Sequence, residues 1–309
     1  MIPVMDWTDH GKDPVGFADK IGQVCRDHGF FLLKNHPVPA DLIADTFTMG
    51  DAFFALSETE KAKLSIASTP HNRGWAATGS ESLDESSGQI DQKQAFNVGL
   101  DLAADDPAVR HGGPFRGVNL WPELDGFRDT ILAYFQSAWG LGIALHGAFA
   151  RDLGLPVDYF DQHLDAPMAT LRLLSYPAAS GADGEIGAGA HTDYGSITLL
   201  MTDGVAGLQV KPRGQDWVTV PHESGAFVVN IGDCLMRWTN QIYCSTPHRV
   251  LPPPRPRRSI AFFLDPNPDS IISALPGTGD PKFPPICAAD YLRSRLDATY
   301  KGTQTHETA

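Results

Sequence analysis

The chain is poor in the residues that mark several common classes of protein. Its four cysteines, Cys25, Cys234, Cys244 and Cys287, show no Cys-x-x-Cys spacing, which argues against a zinc ribbon or a thioredoxin-type redox site. We therefore expect free thiols. Basic residues are also scarce, since 24 Lys and Arg stand against 37 Asp and Glu and the formal net charge is −13. Because contacts with phosphates need clustered basic side chains, we expect no nucleic-acid partner.

Long apolar runs are missing as well. No stretch reaches the roughly 18 apolar residues of a membrane-spanning helix, and the N-terminal residues lack the basic segment and apolar core of a signal peptide. We therefore expect no membrane partner and a cytoplasmic location. With 309 residues, 42% of them hydrophobic, the chain is long enough for one large domain or for a core with an extension. Nothing in the sequence indicates an oligomeric state.

The first third of the chain alternates short strands with amphipathic helices. Strands are predicted at 2–5, 30–34 and 94–98, and helices at about 17–25 and 42–53. Residues 65–94 contain much Ser, Thr, Gly, Asp and Glu and little apolar periodicity, which indicates a long loop. Such a loop is either a functional cover of a pocket or a solvated excursion, and the sequence leaves both interpretations open.

The remainder of the chain changes from helix to strand. A three-four apolar spacing predicts one long helix over 123–153, ended by Gly154 and Pro156. After it, turns with Gly, Pro, Asn or Asp separate many short strand patterns, which points to a sandwich or a closed barrel. The predicted strands are 169–176, 196–202, 207–211, 216–220, 226–231, 234–238, 248–251 and 258–264. A closing helix over 288–300 and a frayed polar tail complete the prediction.

His191 and Asp193 supply half of a candidate metal site. They stand two residues apart, and in an extended strand such residues project from the same face. The best third ligand is His248, far enough along the chain for several antiparallel strands to intervene. Two His and one Asp suit a facial triad for non-haem Fe(II), with positions left open for chemistry. A lone His-x-Asp is common by chance, however, and a surface pair explains it equally well.

Arg257 and Ser259 strengthen the metal hypothesis. They follow His248 on an apolar run, and their spacing again makes both side chains project from one face. Arginine forms planar, two-pronged hydrogen bonds with carboxylates, and the serine hydroxyl adds a donor. The pair therefore suits the far carboxylate of a small diacid. Without this context, Arg257 would be one more solvated cation beside Arg255 and Arg258.

Together, these residues resemble the isopenicillin N synthase-like branch of the Fe(II)/2-oxoglutarate-dependent dioxygenases. The family pattern is His-x-Asp, then a second His, then Arg-x-Ser, and this chain has His191-Thr192-Asp193, His248 and Arg257-Arg258-Ser259. Further matches extend the resemblance over nearly the whole chain. They lie at 2–6, 27–36, 53–57, 73–75, 119–122, 175–177, 207–210 and 230–233.

The resemblance implies a fold that is mainly β with flanking helices. Its core would be a double-stranded β-helix, or cupin-like jelly roll, with an α/β N-terminal region. Three parts are expected: an N-terminal region over 1–115 with loop 65–94 near the pocket, the long helix and jelly-roll core over 116–287, and a C-terminal helix and tail over 288–309. In that architecture the metal ligands lie at one open mouth.

The resemblance also implies an enzyme that uses Fe(II), 2-oxoglutarate and O2. His191, Asp193 and His248 would hold the iron, and 2-oxoglutarate would chelate it while Arg257 and Ser259 hold the C5 carboxylate. A C–H bond of a small-molecule metabolite would be oxidised, most commonly by hydroxylation. Succinate and CO2 would be released.

Other residues of the pocket follow from the same resemblance. Tyr176 matches a family position whose phenol hydrogen-bonds the cosubstrate, whereas Leu174 stands where plant members often have Asn. Arg172 could face the site from the strand of Tyr176, and a structural salt bridge is the equally good alternative. Tyr194 and Phe263 are expected in the pocket wall.

Two other functions remain open from the sequence. Isopenicillin N synthase and aminocyclopropane-carboxylate oxidase share the triad and Arg-x-Ser but do not consume 2-oxoglutarate, so these motifs cannot separate the two kinds of enzyme. A jelly roll can also be a non-catalytic binding protein, against which the intact triad argues. The substrate would be set by loop 72–92 and the residues after Asp193, which match no single substrate class.

Overall fold

The computed structural model describes residues 1–84 and 89–301. Residues 85–88 of the predicted loop and the predicted tail from 302 onward lie outside the described residues. The described chain is mainly β with flanking helices, as the sequence predicts. An eight-stranded sheet and a four-stranded sheet enclose a pocket, and a further two-stranded sheet lies near the C-terminal end of the described chain.

The N-terminal region is α/β. Its elements are β1 (Val4–Asp6), α1 (Thr8–Lys12), α2 (Pro14–Asp27), β2 (Phe30–Lys34), α3 (Ala40–Phe54), α4 (Glu58–Ala62), a 3₁₀ turn at Ile66–Ser68, β3 (Gly74–Ala76) and β4 (Gln94–Gly99). Helix α2 begins where the sequence predicts a start, because the Asp13 side chain accepts a hydrogen bond from the Gly16 amide and Pro14 occupies the first turn. It ends before Gly29, whose φ of 62° leaves the helical region.

The jelly-roll region follows a run of helices. The elements in chain order are α5 (Pro107–Arg110), α6 (Phe127–Asp152), α7 (Asp161–Leu164), β5 (Thr170–Tyr176), β6 (Ala188–His191), β7 (Ile197–Thr202), β8 (Leu208–Val210), β9 (Val218–Thr219), β10 (Phe227–Ile231), α8 (Asp233–Trp238), β11 (His248–Val250), β12 (Arg257–Leu264), β13 (Ile271–Ile272), β14 (Ile286–Cys287) and α9 (Ala288–Lys301). Helix α6 starts later than predicted because Gly126, with φ 74°, is in the left-handed region.

Strand pairing joins the N-terminal region to the jelly roll. The large sheet has the order β1-β2-β10-β7-β12-β5-β4-β3, and the small sheet has the order β6-β11-β8-β9. Strand β2 pairs with β10, and β4 pairs with β5. The N-terminal residues therefore complete the large sheet rather than forming a separate sheet of their own.

The two faces of the large sheet carry two apolar clusters, because successive side chains of a strand alternate in direction. On the outer face, residues such as Leu173 and Phe262 pack in one cluster with α2, α3 and α6. On the inner face, residues such as Leu174 and Ala261 join Leu208 of the small sheet in a second cluster. The helices therefore cover the outside of the large sheet, and the pocket lies between the two sheets.

The strand predicted at 234–238 is wrong, since this segment lies in helix α8. Leu235 and Trp238 are three residues apart and are both buried, which a helix achieves and an alternating strand does not. The backbone amides of Asp233 and Cys234 donate to the carbonyl oxygens of Asp193 and Gly195 at 2.8 and 3.0 Å. Contacts with a distant segment therefore satisfy the first turn of this short helix.

Two smaller differences concern strands. The predicted strand set omits β6, and the predicted connection after Asp265 contains the short strands β13 and β14. Within residues 1–84 and 89–301, no helix has both the length and the apolar content needed to cross a bilayer.

Candidate functional site

His191, Asp193 and His248 meet at the wall of the pocket. Each residue offers one ligand atom, and the three atoms lie within 4.8 Å of one another. Asp193 Oδ1 is 3.8 Å from His191 Nε2 and 3.6 Å from His248 Nε2. Two imidazole nitrogens and one carboxylate oxygen are a donor set that suits Fe(II). In the part of the chain that the structure describes, this is the one such group of metal-ligating side chains.

Strand pairing brings the two histidines together. Strands β6 and β11 are antiparallel, with His191 directly opposite His248 and their ring centroids 4.3 Å apart. Asp193 differs from the predicted geometry, because β6 ends at His191 and the carboxylate comes from the turn that follows. The first amides of α8 hold the backbone of this segment, so the helix that the sequence did not predict positions the third candidate ligand.

Each of the three side chains uses its other polar atom to contact the protein. His191 Nδ1 lies 2.7 Å from the carbonyl oxygen of Gly189, and His248 Nδ1 lies 3.4 Å from that of Thr246. Asp193 Oδ2 accepts hydrogen bonds from Asn230 Nδ2 at 2.7 Å and from the Thr198 hydroxyl. A protonated Nδ1 donating to a carbonyl leaves the Nε2 lone pair toward the centre of the group. These contacts therefore aim one free ligand atom of each residue at one point.

The electrostatics of the group favour the metal-binding protonation states. Burial and the neighbouring His248 lower the pKa of His191 to about 3. Burial raises the pKa of Asp193, but the imidazoles of His248 and His191 outweigh that effect and hold the pKa below its usual value. A neutral imidazole and an ionised carboxylate are the forms that bind cations. His191 and Asp193 therefore favour the protonation states that suit a resident Fe(II) ion.

Arg257, Ser259 and Tyr176 lie together at another part of the same pocket. Arg257 pairs with Tyr176 across β12 and β5, and its guanidinium lies 5.0 Å from the phenol ring centroid. Arg257 Nη1 donates to the Ser259 hydroxyl at 3.3 Å, and Nε donates to the Val205 carbonyl at 3.3 Å. Arg257 is only 1% exposed, and no carboxylate of the described residues lies within ion-pairing distance of it. A buried cation of this kind fits an anionic ligand.

The inner face of β12 connects the two groups. Arg257, Ser259, Ala261 and Phe263 alternate along this face, and Phe263 lies opposite Thr198, which bonds Asp193. Residues from both groups line one cavity with a volume of about 150 Å³. Arg257 and the His–Asp–His group therefore face the same cavity.

A cluster of four charged side chains forms a third part of the wall. Arg172 on β5 donates to both oxygens of Glu81 at 2.6 and 2.5 Å. Lys93 lies 3.1 Å from Glu81 and also contacts Asp91. The two alternatives for Arg172, pocket wall and salt bridge, are therefore both correct.

The sequence did not identify the other three charged residues of this cluster. Glu81, Asp91 and Lys93 belong to the predicted loop 65–94, where polar residues without periodicity carried no signal of burial. All three are at most 4% exposed. Asn72, Glu81, Leu83 and Lys93 line the cavity, so the described part of this loop is more than a solvated excursion.

Aromatic and aliphatic side chains form the rest of the wall near the three groups. Tyr194 and Phe263 line the cavity as expected, together with Phe115 and with Leu292 and Leu296 of α9. The Tyr194 hydroxyl lies 2.8 Å from Thr299 Oγ1 in the same helix. His146, in contrast, is a packing residue, buried away from the cavity between Gly142 and Ser196.

Comparison with known proteins matches both regions of the chain to family models. Residues 2–124 match the non-haem dioxygenase in morphine synthesis N-terminal model, and residues 166–266 match the 2OG-Fe(II) oxygenase superfamily model. A 2-oxoglutarate-Fe(II) type oxidoreductase, hxnY of Emericella nidulans, is 33% identical over 323 residues, covering 99% of this chain and 92% of its own.

Solved structures agree with this result. A full-length Neurospora crassa protein, crystallised in complex with alpha-KG (2-oxoglutarate), has a TM-score of 0.86 and 34% identity, with 96% of each chain covered. The complex of the same protein with alpha-KG and thymine has a TM-score of 0.85 and 32% identity, again with 96% of each chain covered.

The chain belongs to the 2OG-Fe(II) oxygenase superfamily, in its isopenicillin N synthase-like branch, and has the jelly-roll fold of that family. It is an Fe(II)- and 2-oxoglutarate-dependent oxygenase with O2 as the second cosubstrate. The names of the relatives favour this function over a 2-oxoglutarate-independent oxidase and over a non-catalytic binding protein.

Proposed function

We propose that the enzyme hydroxylates a C–H bond of a small-molecule metabolite, with His191, Asp193 and His248 as its iron ligands. In the same proposal, Arg257, Ser259 and Tyr176 hold the C5 carboxylate of 2-oxoglutarate. The observation that carries the proposal is the buried Arg257, which has no carboxylate partner in the described chain and shares one cavity with a convergent His–Asp–His group. A buried unpaired guanidinium is costly, and a dianionic cosubstrate offsets that cost.

The side chains of the pocket position and shield the reactants. When bound, Fe(II) would supply the oxidising chemistry by which one oxygen atom of O2 enters succinate as 2-oxoglutarate loses CO2, and the other enters the substrate C–H bond to give C–OH. Asn230 and Thr198 keep the Asp193 carboxylate oriented by their hydrogen bonds to Oδ2. Phe263, Tyr194 and Leu292 exclude water from the substrate side, which strengthens the electrostatic contacts within the pocket.

The small-molecule substrate and the division of the chain belong to the same proposal. The solved complexes of the Neurospora crassa protein contain thymine or 5-formyluracil beside alpha-KG, which supports a compact substrate. We divide the chain into an N-terminal dioxygenase region over 1–115, a long helix and jelly-roll core over 116–287 that holds the iron and cosubstrate sites, and a C-terminal helix and tail over 288–309. The free thiols of all four cysteines support a reducing, cytoplasmic location.

Anaerobic titration tests the proposed ligands. Adding Fe(II) and then 2-oxoglutarate should produce a visible charge-transfer band, and adding O2 should release succinate. His191→Ala should abolish the band and reduce succinate release by at least about a thousandfold, because removal of one ligand opens the donor set.

The matched control for this experiment is His222→Ala, because His222 is exposed and is not among the cavity-lining residues. It should behave as the wild type. A spectrum that saturating 2-oxoglutarate leaves unchanged would favour the 2-oxoglutarate-independent oxidases. Metal content and turnover that survive His191→Ala would contradict the ligand assignment.

A further inference from the structure

Among the described residues, the charged cluster beside the candidate iron ligands contains equal numbers of acidic and basic side chains. Glu81 and Asp91 carry two negative charges, and Lys93 and Arg172 carry two positive charges. Burial raises the pKa of Glu81, but Arg172 and Lys93 outweigh burial and lower it below its usual value. Burial lowers the pKa of Lys93, but Glu81 and Asp91 more than reverse this. Glu81 and Lys93 therefore stay ionised at neutral pH, and within the described residues two acidic side chains face two basic ones.

When iron and 2-oxoglutarate are bound, the charges at their two sites would also cancel. Fe(II) and Arg257 balance Asp193 and the dianion of 2-oxoglutarate. One lining carboxyl is left, Asp265, whose pKa burial and Asp193 raise to about 7. The buried Arg73 has the opposite effect on the pKa of Asp265 and lowers it.

Glu81 occupies the position that a substrate carboxylate would take. Arg172 lies opposite Ala261 on the inner face of the sheet, four residues before Tyr176 on β5, and it lines the cavity. Its Nη2 contacts both Glu81 oxygens. A substrate carboxylate would have to displace Glu81, which would then be left buried beside a second negative charge.

The loop holds Glu81 in that position. The Asp91 amide donates to the Glu81 carbonyl at 3.0 Å, and the Ser82 hydroxyl donates to the Gln89 carbonyl at 2.8 Å. Asp91 Oδ1 accepts the Gly189 amide of β6 at 2.9 Å. Because both ends of the loop segment are bonded, Glu81 cannot swing into solvent without breaking several buried hydrogen bonds.

We infer that the primary substrate carries no net charge, and that Glu81 is the residue that excludes carboxylate substrates from Arg172. The substrate presents hydrogen-bonding groups, such as an amide or a hydroxyl, to the Glu81–Arg172 pair. Its apolar body lies against Phe263, Tyr194 and Leu292. This inference rests on the proposed function, because it assumes that iron and 2-oxoglutarate fill the other two parts of the cavity.

The test compares ligands that share a skeleton and differ in charge: benzamide with benzoate, phenylacetamide with phenylacetate, and indole-3-acetamide with indole-3-acetate. Each ligand is titrated calorimetrically and anaerobically into the full-length enzyme with Fe(II) and 2-oxoglutarate. The wild type should bind at least one carboxamide about tenfold or more tightly than its carboxylate, because the carboxylate adds an uncompensated buried charge.

Substitution of Glu81 should reverse this preference. Glu81→Gln keeps the side-chain volume and leaves Arg172 with one excess positive charge, so the affinity ratio should shift toward the carboxylate by about tenfold or more. The double variant Glu81→Gln/Arg172→Gln restores neutrality and should lose that shift. Glu223→Gln, the same change at an exposed acid, should leave the ratio unaltered.

Three results would overturn the inference: a wild-type preference for carboxylates, equal ratios in the wild type and Glu81→Gln, or no binding of any pair by either protein. If Glu81→Gln does not fold, the wild-type ratios decide alone. A separate assay of the same preparations tests the proposed function. It measures the succinate that the enzyme forms from 2-oxoglutarate when no substrate is added. That signal is absent if the proposed function is wrong, whatever the ligand ratios are.

Discussion

Arg257 and Arg258 are adjacent on β12 but point to opposite faces of the large sheet. Arg257 is buried against Tyr176 and Ser259 inside the cavity. The Arg258 side chain is 39% exposed and pairs with Asp51 and Asp203 on the outside. The alternation of a strand therefore gives two neighbouring arginines different roles, one as a proposed carboxylate ligand and one as a surface ion pair.

Arg257→Lys should raise the KM for 2-oxoglutarate by about tenfold or more, because an ammonium group cannot form the two-pronged contact of a guanidinium. The maximal rate should change much less, since the substitution leaves the iron ligands in place. Initial rates of succinate release at varied 2-oxoglutarate measure both quantities. Arg258→Lys is the matched control and should leave the KM unchanged. Equal changes in the two variants would contradict the assignment of Arg257.

At the scale of elements, strand β6 joins the charged loop to the candidate iron ligands. Asp91 bonds the Gly189 amide, and the Gly189 carbonyl contacts Nδ1 of His191. Asp84 packs so closely on Gly189 that an added Cβ would lie 2.8 Å from the Asp84 backbone nitrogen. Only glycine allows the loop to lie against the strand at this position.

Gly189→Ala should push the loop away from β6 and lower the free energy of unfolding by about 1 to 3 kcal/mol, the usual cost of overpacking. It should also weaken Fe(II) binding, because His191 loses part of its orienting contact. Urea denaturation and Fe(II) titration measure the two effects. Gly140→Ala is the control, since an added Cβ there meets nothing within 4 Å. Because Gly140 lies in the interior of α6, this change should raise the free energy of unfolding by up to about 1 kcal/mol. A stable Gly189→Ala with unaltered affinity for Fe(II) would refute the docking role.

Helices α8 and α9 support the other side of the same turn. Asp233 Oδ2 accepts hydrogen bonds from Thr192 Oγ1 at 3.2 Å and from the Tyr291 hydroxyl at 2.9 Å. The guanidinium of Arg295 lies 5.0 Å from the Tyr194 ring centroid. Both helices therefore contact the four-residue segment that begins at His191, which ties the proposed iron ligands to the C-terminal wall of the cavity.

For the whole molecule, buried neutral histidines couple folding to pH. Burial lowers the pKa of His146 to about 4, and this ring of α6 contacts Ser196, the residue before β7, as well as the Gly142 carbonyl of its own helix. In the unfolded chain the same histidine takes up a proton near pH 6.5. Below pH 6.5 the unfolded state therefore binds more protons than the folded state. The free energy of unfolding decreases as the pH is lowered, until His146 also takes up a proton in the folded protein near pH 4.

His146→Gln should flatten this acid dependence. Between pH 6.5 and 5, the wild type should lose about 1.6 kcal/mol more unfolding free energy than the variant, because the slope rises toward about 1.4 kcal/mol per pH unit below pH 6.5. Urea titrations at several pH values give the slope of the unfolding free energy against pH, and a chelator removes the contribution of metal binding. The slopes are compared rather than the free energies, because the variant should be less stable than the wild type at every pH. His222→Gln, at an exposed site, should keep the wild-type slope. An unchanged slope in His146→Gln would show that the ring is protonated in the folded state.

Much of the fold follows from local patterns. Period-two and three-four spacings predict most strands and the helices α2, α3, α6 and α9, because one face of each is buried. The types of side chain also restrict the chemistry: His191, Asp193 and His248 suit iron, and Arg257 with Ser259 suits a carboxylate. These inferences need only the order of residues in the chain.

Tertiary structure decided the rest. Residues 234–238 form a helix because its first amides meet the carbonyls of Asp193 and Gly195, a contact between segments about forty residues apart that no local spacing encodes. Glu81 lies in the cavity because its loop docks on β6, where Arg172 and Lys93 balance its charge. The sequence by itself determined which groups can bind the cofactors, whereas strand pairing and loop docking decided which charges surround the substrate, since burial and long-range pairing arise only when the chain is folded.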